Sequence, residues 1–284
     1  MTTSLPFPAK AAQNNPRKDA GRRKPNTKTV IALLGSKRKA NTYGLLKQLE
    51  PLLAAGGARL EIVPLYQYTI QDCLGCDGCV LRGGCGLRDD VPALMDKLAA
   101  ADGLILASPV YLQQVSGKLK TFLDRTCRWY HRPVLAGKPV LCVATTKGSG
   151  LAPTLAYLEN IVRQWGAVPA GKIGRTIFQL KNPVTARETA RFLRLLDHPE
   201  QYAPSVRVLV AFEVQKALAR FLNGLDTAYW QQKGWFDRPY FYPCRILPHR
   251  RAVSGTAGAV MRRVLSRTAP QTTHATGAPP AKTS

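Results

Sequence analysis

Five short apolar runs, each followed by a stretch with helical spacing, constrain this 284-residue chain more than any other feature. They are residues 29–34 (TVIALL), 59–65 (RLEIVPL), 102–107 (DGLILA), 138–145 (KPVLCVAT) and 167–173 (AVPAGKI). All but the second run straight into Gly, Ser or Thr, the way a buried strand meets a turn. Between the first two, Leu45, Leu46, Leu49, Leu52 and Leu53 share a helical face that Gly56-Gly57 ends. Asp89-Asp90-Val91-Pro92 opens a second helix, with acidic caps and Pro in its first turn, that closes near Ala101. Ser116 caps a third, from Gly117 to about Trp129, apolar at Leu119, Phe122 and Leu123. A fourth carries Leu155, Leu158, Val162 and Trp165 on one face and stops at Gly166. Nearly continuous apolar strands alternating with amphipathic helices make βαβ units: an α/β chain whose parallel sheet is covered on both faces.

After Gly174 the pattern changes. Thr185-x-x-Glu188 is a capping box leading a helix to about Leu196, and Ser205 precedes another that reaches about Leu222 and ends at Asn223-Gly224. An aromatic-dense loop follows (Tyr229, Trp230, Trp235, Phe236, Tyr240, Phe241, Tyr242), suited either to covering a cofactor or to burying a subunit contact. A last helix is expected over 259–266. The expected organisation is a basic, unstructured extension (1–28), one α/β domain (29–175), a helical and aromatic extension (176–268) and an unstructured tail (269–284), without internal repeats.

Charge invites a different answer. Lys and Arg number 41 against 17 Asp and Glu, a net charge of +24. Residues 1–28 hold seven basic and one acidic residue, and residues 245–284 hold seven basic and none acidic, so more than half of the excess lies in the two ends. No helix-turn-helix, RNA-binding or finger pattern accompanies it, which argues against nucleic acid as the partner. No window approaches about 20 uninterrupted apolar residues, so no membrane-spanning helix is expected. The N-terminal stretch lacks the apolar core of a secretory signal. Of seven cysteines, four fall within thirteen residues. That clustering indicates a metal or redox site in a reducing compartment, the cytoplasm, rather than a secreted disulfide scaffold.

Three loops at strand ends carry candidate chemistry. Gly35-Ser36-Lys37-Arg38-Lys39-Ala40-Asn41-Thr42 leads directly into a helix, whose first N–H groups, with hydroxyl, amide and Arg side chains, can cradle an anion. Ser108-Pro109-Val110-Tyr111 and the following Val115-Ser116-Gly117-Lys118-Leu119-Lys120 can wall a planar, amphipathic ring. Thr145-Thr146-Lys147-Gly148-Ser149-Gly150 permits close backbone approach to a ligand. In a sheet ordered 2-1-3-4-5 these three edges converge beside the switch point, where open α/β sheets bind ligands. A fourth motif, Cys73-x2-Cys76-x2-Cys79-x5-Cys85, is interleaved with Gly75, Gly78, Gly83, Gly84 and Gly86. Such compact spacing wraps thiolates around an iron–sulfur cluster. A four-cysteine zinc site and a metal-free redox thiol pair are the rivals. Cys127, Cys142 and Cys244 are scattered, and Cys142 is expected to act as a small core hydrophobe. The four histidines, His131, His198, His249 and His274, have no ligand or triad spacing and are expected to face solvent.

Taken in order, Gly35-Ser36-x-Arg38, Asn41-Thr42, the four cysteines, Asp89-Asp90, Pro109-x-Tyr111, Ser116-Gly117-x-Leu119-Lys120 and Asp124-Arg125 resemble the NAD(P)H-dependent FMN reductases, nearest their iron–sulfur flavoprotein branch. The likeness covers about residues 29–175. It implies a flavodoxin-like doubly wound fold of five parallel strands (order 2-1-3-4-5) and noncovalent FMN. FMN would be held by Ser36, Arg38, Asn41, Thr42, Pro109, Val110, Tyr111, Ser116, Thr146, Gly148 and Ser149. It further implies a [4Fe–4S] cluster on Cys73, Cys76, Cys79 and Cys85, NAD(P)H or a ferredoxin-like carrier as donor, a small acceptor, and a homo-oligomer. No catalytic acid–base residue is expected, since the cofactor carries the redox chemistry. Lys37 stands where relatives have Pro, and the phosphate loop is one residue shorter.

Overall fold

The computed structural model describes residues 27–221 and 224–268. In it the five runs are strands β1 (Lys28–Leu34), β2 (Ala58–Pro64), β3 (Gly103–Pro109), β4 (Pro139–Thr146) and β5 (Val168–Thr176). They form one all-parallel sheet in the order β2-β1-β3-β4-β5, the flavodoxin-like arrangement, with its switch point between β1 and β3. Leu34 pairs with Ala107, and Pro109 with Thr145, so the loops leaving β1, β3 and β4 emerge from one edge.

The helices are α1 (Asn41–Ala55), α2 (Gly78–Leu81), α3 (Val91–Ala100), α4 (Gly117–Asp124), α5 (Arg128–His131), α6 (Leu151–Gln164), α7 (Ala186–Asp197), α8 (Val206–Phe221), α9 (Gly224–Gln232) and α10 (Pro248–Thr268). Alternate strand residues serve two cores. Val30, Ala32, Ile105, Ala107, Leu141 and Val143 pack with α1, α7 and α8, whereas Ile31, Leu33, Leu104, Leu106, Val140 and Cys142 pack with α3, α4 and α6. Cys142 is fully buried, as expected of a core hydrophobe, and burial pushes its thiol up to about 12.

Four expectations are corrected. The helix begun at Ser116 stops at Asp124 instead of reaching Trp129. Thr126 Oγ1 donates to the Leu123 carbonyl (2.7 Å) and accepts from Trp165 Nε1 (3.0 Å), local bonds that compete with the helical ladder. The short α5 follows this break. The aromatic segment is not one loop, because Tyr229 and Trp230 lie in α9, which opens at Gly224. Its large rings are buried in the chain's own core around Phe212: Trp230 and Tyr240 are 0% and 1% exposed, and Phe241 meets Phe212 edge-on at 4.7 Å. The final helix begins at Pro248 rather than 259, because packing against α8 supplies what an apolar stripe does not. A Cβ at Gly258 would lie 3.0 Å from Glu213 Cβ of α8, so glycine lets the two helices approach closely. Finally, His131 does not face solvent freely: its Nδ1 lies 2.9 Å from Asp226 Oδ2. Residues 1–26, Leu222, Asn223, the 269–284 tail and His274 lie outside the described residues. No helix among the described residues is long and apolar enough to cross a membrane.

Candidate functional site

Two cavities gather the residues marked in the sequence. The first, about 220 Å³, lies where the strands end and is lined by Ser36, Arg38, Ala40, Asn41 and Thr42 after β1, by Pro109 at the end of β3 with Val110 and Tyr111, and by Thr145 and Thr146 at the end of β4 with Lys147. Three loops distant in sequence thus meet at the switch point. No side chain caps the start of α1, whose N-cap is Ala40, so its first N–H groups lack the usual hydroxyl or carboxylate partner. Ser36 Oγ donates to the Arg38 carbonyl (2.9 Å) and closes the loop on itself. Beneath it the buried hydroxyls of Thr42 and Thr145 share a 2.6 Å hydrogen bond that ties the first loop to the third. Basic Arg38 and Lys147 on the lining, with those N–H groups, make a cradle for an anion such as a phosphate.

The loop after β3 carries strain. Tyr111 and Gln114 exchange backbone hydrogen bonds (2.8 and 3.0 Å), forcing Leu112 and Gln113 between them to φ of 45° and 69°. Hairpin turns of this kind ordinarily use Asn or Gly. Here Leu112 stands 99% exposed at the cavity rim, and such strain concentrates at functional sites.

Of the FMN residues expected from sequence, eight line this cavity and three do not. Ser116 is fully buried below it. Its Oγ accepts from Leu119 N (3.4 Å) to cap α4, and its N–H donates to Ser108 Oγ (2.9 Å). Gly148 and Ser149 sit outside the lining. Gly148 N–H donates to Thr146 Oγ1 (3.1 Å), and Ser149 accepts from Gln113 Nε2 (2.5 Å), so both shape the third loop. Ala40, Thr145 and Lys147 line the cavity without having been singled out. Their membership in two of the marked loops was the available signal.

The second cavity, about 700 Å³, gathers all four motif cysteines from the loop between β2 and α3. Gly75 and Gly83, with φ of 61° and 80°, and Asp77 at 53° bend this loop back on itself. Its two ends are tied by the Asp-Asp pair. Asp89 accepts from the N–H of Gln71 (2.9 Å) and Val91 (3.2 Å), and Asp90 accepts from Thr69 N–H (2.7 Å). Arg125, at the end of α4, completes the tie. It donates to Asp89 (2.5 and 3.1 Å), to the Gln71 carbonyl (2.8 Å) and to Cys85 Sγ (3.4 Å). Burial works against the Asp89 charge, but Arg125 and the two N–H donors outweigh it and hold the carboxyl below its ordinary range.

Cys127, scattered in the sequence, joins this cavity as a fifth thiol. It precedes α5, which packs against α2, the helix that carries Cys79. The Cys127 thiol, with backbone N–H groups and nearby Arg132, draws the Cys79 thiol down to about 6, while the Cys127 thiol moves up. Arg132 also donates to the carbonyls of Cys79 (2.5 Å) and Val80 (3.1 Å) and pairs with Asp226 of α9. The C-terminal extension thereby fixes the helix that carries Cys79. An all-thiol donor set around one cavity has the chemistry an iron–sulfur cluster needs. Yet among the described residues no three His, Cys, Asp or Glu side chains converge on a metal-sized point.

The comparisons with known proteins agree with this architecture. An iron–sulfur flavoprotein of Archaeoglobus fulgidus is 36% identical over 144 residues, covering 50% of this chain and 66% of the relative. One from Methanocaldococcus jannaschii is 29% identical over 183 residues, 58% of this chain and 92% of that one. A quinone reductase of Escherichia coli is 33% identical over 119 residues, 42% and 60% of the two chains. The chain therefore spans just under two thirds of the first relative's length. The family described as NADPH-dependent FMN reductase matches residues 29–177, more than half of the chain. With the doubly wound sheet and a phosphate-ready loop at its switch point, this chain belongs to the NADPH-dependent FMN reductase family.

Proposed function

We propose that the chain is an FMN-dependent oxidoreductase. It takes electrons from NAD(P)H or a reduced ferredoxin-like carrier and passes them to a small acceptor, a quinone among the candidates. The observation that carries this reading is the meeting of three βα loops and an uncapped helix start in one cavity. In this reading residues 29–175 form the cofactor unit. The first N–H groups of α1, the Ser36 hydroxyl and Arg38 bind the phosphate, and Asn41 and Thr42 line its approach. About 220 Å³ is below the roughly 300 Å³ at which ligand pockets usually begin, so the cavity encloses the phosphate end. The ring then lies on the rim, between Pro109–Tyr111 and the loop of Thr146, Gly148 and Ser149. When bound, FMN supplies the hydride and single-electron chemistry. The chain's own groups bind, orient and partly exclude water.

Cys73, Cys76, Cys79 and Cys85 would hold a [4Fe–4S] cluster, with Arg125 donating toward the Cys85 sulfur and the glycines allowing the loop to close around it. A second reading, a reductase without a cluster, is favoured by the lack of convergence among those thiols. Oligomer formation belongs to the same proposal, since exposed Leu112 at the cavity rim is otherwise uncovered.

Anaerobic purification of the full chain, followed by an absorbance spectrum and iron and sulfide analysis, tests both readings. The expected result is flavin absorbance with about four iron and four sulfide per chain. Colourless protein that refuses added FMN overturns the flavoenzyme reading. Flavin without iron, together with Cys76→Ser protein that oxidises NAD(P)H normally, selects the cluster-free form.

A further inference from the structure

We infer that Asp226 is a positioning residue for the cysteine loop: through Arg132 it holds the backbone at Cys79 and Val80, so that a helix outside the FMN reductase match sets the middle of the four-cysteine motif. The brace does not depend on what the loop holds; its consequence for iron rests on the cluster reading above.

The loop needs such a brace where α2 lies. Gly78–Leu81 is a single turn, entered through Asp77 at φ 53° with no side chain capping its start. So short a helix is not stable by itself, and its last carbonyls have no partners within it. Arg132 supplies the partners. Its Nη2 donates to the Cys79 carbonyl (2.5 Å) and its Nη1 to the Val80 carbonyl (3.1 Å). A guanidinium has the planar fork for acceptors on adjacent residues, which an ammonium lacks.

Asp226 sets the aim of that fork. Its Oδ1 accepts from Arg132 Nη1 (2.5 Å) and its Oδ2 lies 2.9 Å from His131 Nδ1. One carboxylate, 1% exposed, thus spans two successive residues where α5 ends. Four residues further along α9, Trp230 Nε1 donates to the His131 carbonyl (2.8 Å). Leu225, next to Asp226, reaches the loop directly: a Cβ at Gly83 would lie 3.7 Å from its Cδ1, an ordinary contact. α8 seats the same elements, since Thr227 Oγ1 donates to the Ala219 carbonyl (2.6 Å) and Gln215 Nε2 to the Tyr130 carbonyl (2.8 Å). Asp89 and Arg125, which tie the two ends of the loop, fall within the matched residues 29–177, whereas Asp226 lies beyond them.

The test uses the full chain, metal-free and reduced, and follows hydrogen exchange of residues 78–84 by mass spectrometry. The amides of Val80, Leu81 and Arg82 bond to the Asp77 and Gly78 carbonyls and so report on α2. Asp226→Asn gives up the charge and Arg132→Lys gives up the fork. Each should exchange several-fold faster than wild type in this segment, with β1, β3 and β4 unchanged. The double variant should be no faster than the quicker single, because both act through one contact. Glu188→Gln, which breaks an ion pair with Arg175 away from the loop, controls for general loss of stability and should leave 78–84 protected. Unchanged exchange in both singles, acceleration spread equally over the strands, or the same acceleration in Glu188→Gln overturns the inference. If Asp226→Asn does not fold, Arg132→Lys decides alone. Iron is read separately, by adding ferrous iron and sulfide anaerobically and timing its loss to a chelator. Both variants should lose it several-fold faster than wild type, and equal retention overturns the consequence for iron. Wild type that takes up no iron removes the cluster reading instead, and the brace is judged on exchange alone.

Discussion

Replacing Arg125 with Met tests the frame that holds the cysteine loop. The Arg125 and Asp89 side chains are 1% and 0% exposed and meet through two bonds, at 2.5 and 3.1 Å. Met fills much of the same volume but leaves the Asp89 carboxylate buried without its cation. Breaking a buried pair from one side costs about 3–5 kcal/mol. Asp89 keeps the N–H donors of Gln71 and Val91, which places this variant at the lower end, about 3 kcal/mol. With a urea slope of about 2–3 kcal/mol per molar, the unfolding midpoint should fall by roughly 1–1.5 M. Burial, which already opposes the Asp89 charge, then loses its largest counterweight, so the carboxyl pKa should rise.

The cycle is completed by Asp89→Asn and the double variant. Because Arg125→Met/Asp89→Asn leaves no uncompensated charge, it should be less destabilised than the sum of the singles by about 1–3 kcal/mol. Limited proteolysis should cut the single variant faster within residues 72–88, whose two ends the pair ties. An Arg125→Met cost below about 1 kcal/mol, or strict additivity in the cycle, would refute the buried-frame argument.

Two further outcomes follow from the same geometry. A Cβ at Gly35 would lie 2.6 Å from Ser116 Oγ and 2.9 Å from Leu119 Cβ, so Gly35→Ala should cost about 1–3 kcal/mol by overpacking. It should also lower the FMN-to-protein ratio, and an unchanged ratio with an unchanged urea midpoint would contradict the close packing beneath the first loop. Glu188, bonded to Arg175 at 2.9 Å on both oxygens, has its carboxyl drawn down to about 2 from 4.5 by that hydrogen bonding. The stabilisation is therefore complete above about pH 4.5 and is lost as pH falls toward 2. An upper bound of about 3.4 kcal/mol, discounted for a side chain still 29% exposed, leaves about 1–2 kcal/mol. Urea midpoints of Glu188→Gln and wild type should converge across that window, and a gap that persists at the acid end would exclude the pair as its source.

What was legible in the sequence is what local composition decides. The strands could be read because both faces of the sheet are buried, which makes runs such as TVIALL apolar throughout. The Thr185–Glu188 capping box formed as expected, since its reciprocal bonds lie within four residues. What escaped depends on distant neighbours. Nothing near Cys127 signals a thiol site, because the cysteines whose cavity it joins come from a loop distant in sequence. The Leu112-Gln113 turn lacks the Asn or Gly that marks such turns, so its strain is visible only in the backbone. Most of α10 was missed because Ala, Gly, Ser and Arg make no apolar stripe, and the helix relies on Gly258 lying close to α8. Ser116 was grouped with the cofactor contacts because it falls in a matching motif, yet its buried hydroxyl caps the helix that supports the loop.

That supporting helix joins the two cavities. The N-terminal end of α4 sits under the first loop, where Ser116 meets Ser108 and packs against Gly35. Its C-terminal end passes into Arg125 and Cys127 in the cysteine cavity. Eight residues of helix set these ends roughly 12 Å apart. A helix this short, capped at its start and tied by a buried ion pair at its end, fixes that separation whatever either cavity contains. The break at Thr126 is then more than a terminus. Without the hydroxyl's bonds to Leu123 and Trp165 the ladder could continue toward Trp129, and Cys127 would lose the turn that brings it into the cysteine cavity. One local departure from helical hydrogen bonding thus places the fifth thiol in the cavity of the other four.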